Sequence, residues 1–272
     1  MAIRFLPREL RTHRTCANWL LFLAGITLAG LALPDNSAAA APDNAAATSD
    51  NTVTMPDKAI ELRPYTVQYK TTTKGMELDL TRKLESGANG SYILTNGGKI
   101  MVMGFHEVSV FQVEGDRIMP KSYVYQGTGL INRRREVHFT PGADTIRSLY
   151  KDQWYDLPKT DKTLDRMSQH EQLRLLLLND PRPGKNMSIQ VADGKRVKDY
   201  QVVFIAKETM ETPLGPVQTL HFERLHDDPD RKTDMWLAPA WDYLMVKSIH
   251  IEDDNPVEIM LISASIDGVP VQ

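Results

Sequence analysis

The sequence predicts an all-β fold, mainly antiparallel: a curved sheet or open barrel of about a dozen strands with one principal α-helix. Three observations predict it. Apolar and polar residues alternate through most of the chain from Tyr65 to Ile266, which is the period of strands with one buried face. Short clusters of Gly, Asn, Asp and Pro punctuate the alternation. A single stretch, Ser168 to Asn179, changes to helical spacing.

The chain starts with an address. Arg4, Arg8, Arg11 and Arg14 form a basic head, Trp19 to Leu33 an apolar run, and Asn36 to Ala40 a small-residue exit. Residues 1–40 therefore read as a secretory signal peptide, with cleavage after Ala40. The apolar run is shorter than the roughly 20 residues that span a bilayer; a retained N-terminal anchor is the competing reading. The one cysteine, Cys16, precedes the apolar run, whereas a lipoprotein signal needs its cysteine after it. Residues 41–58 are poor in anything to bury and read as a disordered leader. Residues 59–272 are expected to form a single β-rich periplasmic domain, held by an ordinary core rather than by disulfides. Membrane contact is expected only before signal cleavage or transiently. With 35 acidic and 32 basic residues the formal charge is −3. That balance argues against a nucleic-acid partner, and the Arg133–Arg135 cluster is too small to reverse it.

Tyr65, Val67 and Tyr69 alternate with polar residues, as do Met76, Leu78 and Leu80, with Lys74-Gly75 read as a turn. Strands are then expected at 91–95, 100–105, 108–113, 118–125, 136–139 and 145–150. Asn96-Gly97-Gly98, Glu114-Gly115-Asp116 and Pro141 to Asp144 read as the turns between them. After the helix, strands are expected at 187–191, 195–206, 217–225, 232–237, 243–251 and 257–266. A sheet of that size curls into a barrel or splits into a sandwich.

Ser168 followed by Glu171 has the spacing of a capping box. Leu173, Leu176 and Leu177 recur on one helical face, and Asp180-Pro181-Arg182-Pro183-Gly184 ends the run. The expected role is a plug or lid over apolar sheet surface.

The familiar reaction motifs are missing: no Gly-x-Ser-x-Gly elbow, no phosphate-cradling glycine loop and no His-Glu-x-x-His helix. No catalytic residue and no cofactor is assigned. A weak metal candidate is His221, Glu223 and His226 beside Asp227 and Asp228, since alternate strand positions share a face. Against it, Leu220 and Phe222 are the residues expected to face the core. His106, His138 and His170 stand singly.

Trp154-Tyr155-Asp156-Leu157, the 165–179 helix, Glu211 to Leu220, and Asp234-Met235-Trp236-Leu237-Ala238-Pro239 together resemble the exported bacterial family known as domain of unknown function 3108. The similarity covers about Arg63 to Ser265. The chain departs from the family where Leu244-Met245-Val246 replaces a more usual Leu-Pro-Val step. The resemblance implies a periplasmic β-rich fold like the open half-barrels that ferry lipoproteins and lipids, and it transfers no catalytic residue.

Two function classes follow. The first is a non-catalytic periplasmic binding or carrier protein for a lipid or other apolar envelope component. Its cavity would be lined by Tyr69, Leu78, Val124, Trp154, Phe204 and Trp236. The second is a hydrolase acting on envelope glycan or lipid, with acids such as Asp152, Asp156 or Glu223 in a cleft. An assembly factor that offers a sheet edge to an envelope protein partner is a further alternative.

Overall fold

In β1 (Tyr65–Thr73), Tyr65, Val67, Tyr69 and Thr71 are buried while Thr72 and Gln68 are exposed, so one face of the strand builds the core. A computed structural model describes residues 61–272 except 74–75, 101, 131, 183–185, 227 and 229. The expected signal peptide and leader, the Lys74-Gly75 turn and Asp227 lie outside the described residues.

From β1 the chain continues as an antiparallel meander through β2 (Met76–Ser86), β3 (Ser91–Ile100), β4 (Met103–Glu114), β5 (Arg117–Gly129), β6 (Arg134–Phe139), β7 (Thr145–Tyr150) and β8 (Gln153–Pro158). The short β9 (Thr163–Leu164) leads into α1 (Ser168–Asn179). A second meander follows: β10 (Asn186–Asp193), β11 (Arg196–Thr212), β12 (Gly215–Arg224), β13 (Arg231–Ala238), β14 (Leu244–Glu252) and β15 (Asn255–Ile266), with β16 (Val269–Pro270) on β15. The two meanders fuse where β1 pairs antiparallel with β15, giving one sixteen-stranded sheet that runs from an edge at β8 to an edge at β9. Among the described residues, only β9 and β10 pair in parallel. The all-β, mainly antiparallel expectation stands; the strands expected at 100–105 and 108–113 are one continuous strand, β4, and β8, β9 and β16 add to those expected.

The sheet curves so that its two ends meet at a seam. Ser148 Oγ on β7 donates to the carbonyl of Gly194 in the β10–β11 turn at 2.6 Å. A Cβ at Gly194 would lie 3.2 Å from the Tyr150 ring, and its φ of +65° also favours glycine. The apolar residues of the concave face form one continuous core.

One turn expectation is corrected. Asn96-Gly97-Gly98 lies inside β3, and the reversal falls between β3 and β4. These glycines serve close approach rather than chain reversal: a Cβ on Gly98 would sit 2.6 Å from the Leu80 side chain and 2.7 Å from the Asp79 carbonyl. Beyond Ala206, β11 continues to Thr212 and pairs with β12 down to Gly215.

The helix spans the expected residues, but its start differs from a capping box. Asp165 Oδ1 accepts from the backbone N–H groups of Met167 and Ser168, and Ser168 Oγ accepts from Asp165 N–H. Glu171 turns away from that job into the protein interior, where it is fully buried. It accepts from Tyr65 Oη at 2.6 Å and from Arg174 Nη1 at 2.5 Å. Arg174 also donates from Nε to the Asp242 carbonyl, and Gln172 is bonded to Ile118 N–H and the Asp116 carbonyl. These bonds anchor α1 across the end of the sheet formed by the starts of β1 and β5 and the β13–β14 connection. No helix among the described residues is long and apolar enough to cross a membrane.

Candidate functional site

Cross-strand register decides which side chains share the concave face. Tyr65 points at α1, since its hydroxyl bonds Glu171. From its partner Leu84 the register runs through Leu94, Ser109, Tyr123, Val137 and Ser148 to Tyr155. On the other side of β1, Thr71 leads through Ile259, Ser248, Met235 and Phe222 to Phe204. Every residue on these paths faces inward.

Of the six expected cavity residues, Tyr69, Leu78 and Phe204 lie on this inner face. Val124, Trp154 and Trp236 do not, which corrects the expectation that the six line one cavity. Val124 leads in register through Glu136 and Leu149 to Trp154, all on the outer face. Trp154 is 43% exposed and packs under Arg147 and beside His138. Trp236 pairs with Lys247 and His221, again outside. There it stacks on His221 at 4.4 Å, and its Nε1 donates to Glu208 at 3.0 Å.

The metal candidates divide between faces. His221 is outer, held by Glu208 at 3.0 Å and Asp234 at 2.8 Å. Glu223 is two residues further along the same face, whereas His226 bonds Thr233 on the inner side. No three His, Cys, Asp or Glu side chains among the described residues are grouped to hold a metal ion. The acids proposed for hydrolysis also stay apart from the interior. Asp152 is exposed in the β7–β8 turn, Asp156 pairs outward with Arg147, and Glu223 faces Asp234 across β12 and β13.

What the concave side holds instead is charge. Beneath the start of α1, a cleft with about 80 Å³ of free volume, open to solvent, lies between Arg82 (β2), Arg166 (before α1) and Arg224 (β12). Met167, Met235 and Met245 supply apolar wall. Among the described residues each arginine has one holding contact. Arg82 Nη1 lies 3.3 Å from His170 Nδ1, Arg166 Nη1 donates to Asp193 at 2.7 Å, and the Arg224 guanidinium lies over the Tyr200 ring at 4.7 Å. Their remaining buried N–H donors, Arg82 Nε, Arg166 Nε and Nη2, and Arg224 Nε, have no hydrogen-bond partner among the described residues. One carboxylate, Glu107, lines the cleft. It is already engaged by Tyr123 Oη at 2.6 Å and Asn96 Nδ2 at 2.9 Å.

Three histidines feel this environment. Burial, then the positive charge of Arg82 and Arg224, holds His170 well below its ordinary value. Burial and Arg224 push His226 down to about 3, and burial with Arg224 and Arg231 pushes His250 to about 4. Arg224 itself is held below the usual guanidinium range by burial, with Arg166 adding to the effect. At neutral pH the imidazoles are uncharged, and His226 and His250 flank Thr233 Oγ1 at 2.9 and 2.7 Å.

Sequence reasoning missed this cleft. Arg82, Arg166 and Arg224 are far apart in the chain and sit in no motif; the one available signal was the inward phase of Arg82 and Arg224, each two residues from a core position.

The fold defines a class: a curved antiparallel sheet wrapped around one helix. It is shared with the beta-barrel-like protein of domain of unknown function DUF1849 from Brucella abortus, at a TM-score of 0.51 and 11% identity over 76% of this chain and 99% of that one. That likeness shows the fold alone. An exported protein, so described, with a YmcC-like fold from Bacteroides fragilis aligns at a TM-score of 0.30 and 10% identity, covering 75% of this chain and 96% of its own. A domain described as an outer membrane lipoprotein-sorting protein from Vibrio parahaemolyticus aligns at 0.22 and 8%, covering 75% and 85%. Residues 64–262 match the family described as protein of unknown function (DUF3108), and the chain belongs to that family. No curated protein matches it.

Proposed function

We propose that the protein is a non-catalytic binding or carrier protein of the bacterial cell envelope, working in the periplasm after export and holding a lipid or other partly apolar envelope component. One observation carries this reading: the concave side keeps a cleft open to solvent, walled by methionines and by buried arginine donors that the described residues do not satisfy. Buried polar groups are nearly always bonded, so a group of orphaned donors around a cleft points to a bound partner. The basic head and apolar run at the N-terminus support export. The acids Asp152, Asp156 and Glu223 stand outside the cleft, which favours binding over hydrolysis.

Native mass spectrometry of protein purified from its own envelope without detergent, followed by solvent extraction, tests the reading. A stoichiometric small-molecule adduct is the expected result. A clean apo mass, with no adduct regained after incubation with envelope lipid extract, would overturn it.

A further inference from the structure

We infer that the cleft recognises an oxyanion, a phosphate or carboxylate group, seated between Arg82, Arg166 and Arg224; this deepens the binding reading and rests on it. The chemistry of the donors carries the inference. A guanidinium presents its N–H groups as a planar fork that matches two oxygens of a carboxylate or phosphate. Here three such forks line one cleft, and each offers at least one buried donor without a partner among the described residues. Arg82 is only 9% exposed and Arg166 only 6%.

The anionic side chains nearby do not fill the role. Glu107 has its two oxygens taken by Tyr123 and Asn96. Asp193 serves one end of Arg166 and is shared with Lys198. Arg82, Arg166 and Arg224 face two carboxylates, Glu107 and Asp193, the second shared with Lys198, and cationic charge left uncompensated in a medium of low dielectric is costly. A neutral ligand would accept hydrogen bonds but leave that charge in place, whereas an oxyanion accepts the bonds and offsets the charge. His250 lines the cleft and shares Thr233 Oγ1 with His226, so these neighbours impose no competing negative charge.

The methionines distinguish two sources of such a group. Met167, Met235 and Met245 share the cleft with the arginines, so an acyl or alkyl chain on the anion would find apolar contact beside its head. A free inorganic anion would not use them. The ligand class that satisfies both walls is an anionic amphiphile.

Isothermal titration calorimetry of the purified protein in phosphate-free buffer, with dodecyl phosphate, inorganic phosphate and the uncharged dodecyl maltoside as probes, tests the inference. Dodecyl phosphate is expected to bind, inorganic phosphate to bind more weakly at the same site and compete with it, and dodecyl maltoside to bind weakest. Arg224→Gln is expected to weaken dodecyl phosphate binding by about ten- to a hundredfold, the effect of losing hydrogen bonds to a charged group. Arg224→Lys should retain part of the affinity. Arg224 is the least buried of the three arginines, and folding of both variants can be confirmed by circular dichroism; competition by sulfate on the unmodified protein gives a second readout that needs no variant.

Equal affinity for inorganic and dodecyl phosphate, lost in Arg224→Gln, would uphold the oxyanion site and count against the lipid carrier. Binding of dodecyl maltoside as tightly as dodecyl phosphate, unchanged in Arg224→Gln and insensitive to sulfate, would overturn the oxyanion site while leaving a carrier. No binding of either phosphate would also overturn it.

Discussion

Arg166 donates from Nη1 to Asp193 Oδ1 at 2.7 Å, and both side chains are buried where the seam of the sheet meets the start of α1. Asp193 also accepts from Lys198 Nζ at 2.8 Å. The two cations offset the burial that disfavours its charge and hold its carboxyl well below the usual carboxylate range. Asp193→Asn keeps the shape but removes the charge that both cations face. Breaking a buried pair in this way costs about 3–5 kcal/mol, and urea denaturation of the variant is expected to show a loss of that order at neutral pH.

Acid stability depends on the histidines at the cleft. His226 titrates at about 3 and His250 at about 4 in the folded protein, against about 6.5 for a free imidazole. The unfolded chain therefore binds more protons between pH 6.5 and 4, and stability falls as pH drops through that window. Thermal unfolding is expected to show Tm declining from pH 6.5 to 4 before most carboxylates titrate. The double substitution His226→Gln with His250→Gln should make that decline shallower, the buried His170 keeping its share; an unchanged slope would mean that these two imidazoles are not the cause.

The docking of α1 rests on Tyr65. Its hydroxyl bonds fully buried Glu171, and its ring lies under the Arg174 guanidinium at 4.7 Å. Tyr65→Phe keeps the ring and leaves one Glu171 oxygen without its donor. The expected cost is about 1–3 kcal/mol. Amide exchange in α1 should accelerate in the variant more than exchange in β3 and β4, because the helix is attached to the sheet at this point.

Gly98 is a packing position. Alanine there would press on the Asp79 carbonyl and the Leu80 side chain, both under 3 Å from the new Cβ. Overpacking of this kind costs about 1–3 kcal/mol. A guanidinium titration of Gly98→Ala should show it, while Gly142→Ala, in a turn whose Cβ direction is open, is charged only with its left-handed φ of +72° and should lose less.

Trp154 separates the two readings of the sheet faces. As an outer-face residue at 43% exposure, it is expected to be quenched readily by acrylamide in the wild-type protein. Trp154→Ser should leave dodecyl phosphate affinity unchanged. Reduced affinity in the Trp154 variant would return that residue to the ligand side.

Much of the architecture was legible because strand alternation and turn chemistry are local. Tyr65, Val67 and Tyr69 stand on one face whatever the rest of the chain does, and Ser168 to Asn179 could hardly be anything but a helix. The same local logic misread Asn96-Gly97-Gly98, since glycine serves turns and close strand contacts alike and only the neighbouring Leu80 tells which. It misread Glu171 too, because a capping box and a buried carboxylate share one spacing.

The sequence by itself determined that strands dominate, that one helix interrupts them, and which residues of a strand share a face. It could not determine which face would be concave. A period of two is symmetric between faces, and in β13 the run from Thr233 to Ala238 is buried throughout, so nothing local told Trp236 from Met235. Only the tertiary structure decided that, through a register carried across the whole sheet. The cleft followed from the same decision. Curvature brings Arg82, Arg166 and Arg224 together from three distant segments, and a charge cluster assembled by long-range closure leaves no pattern along the chain.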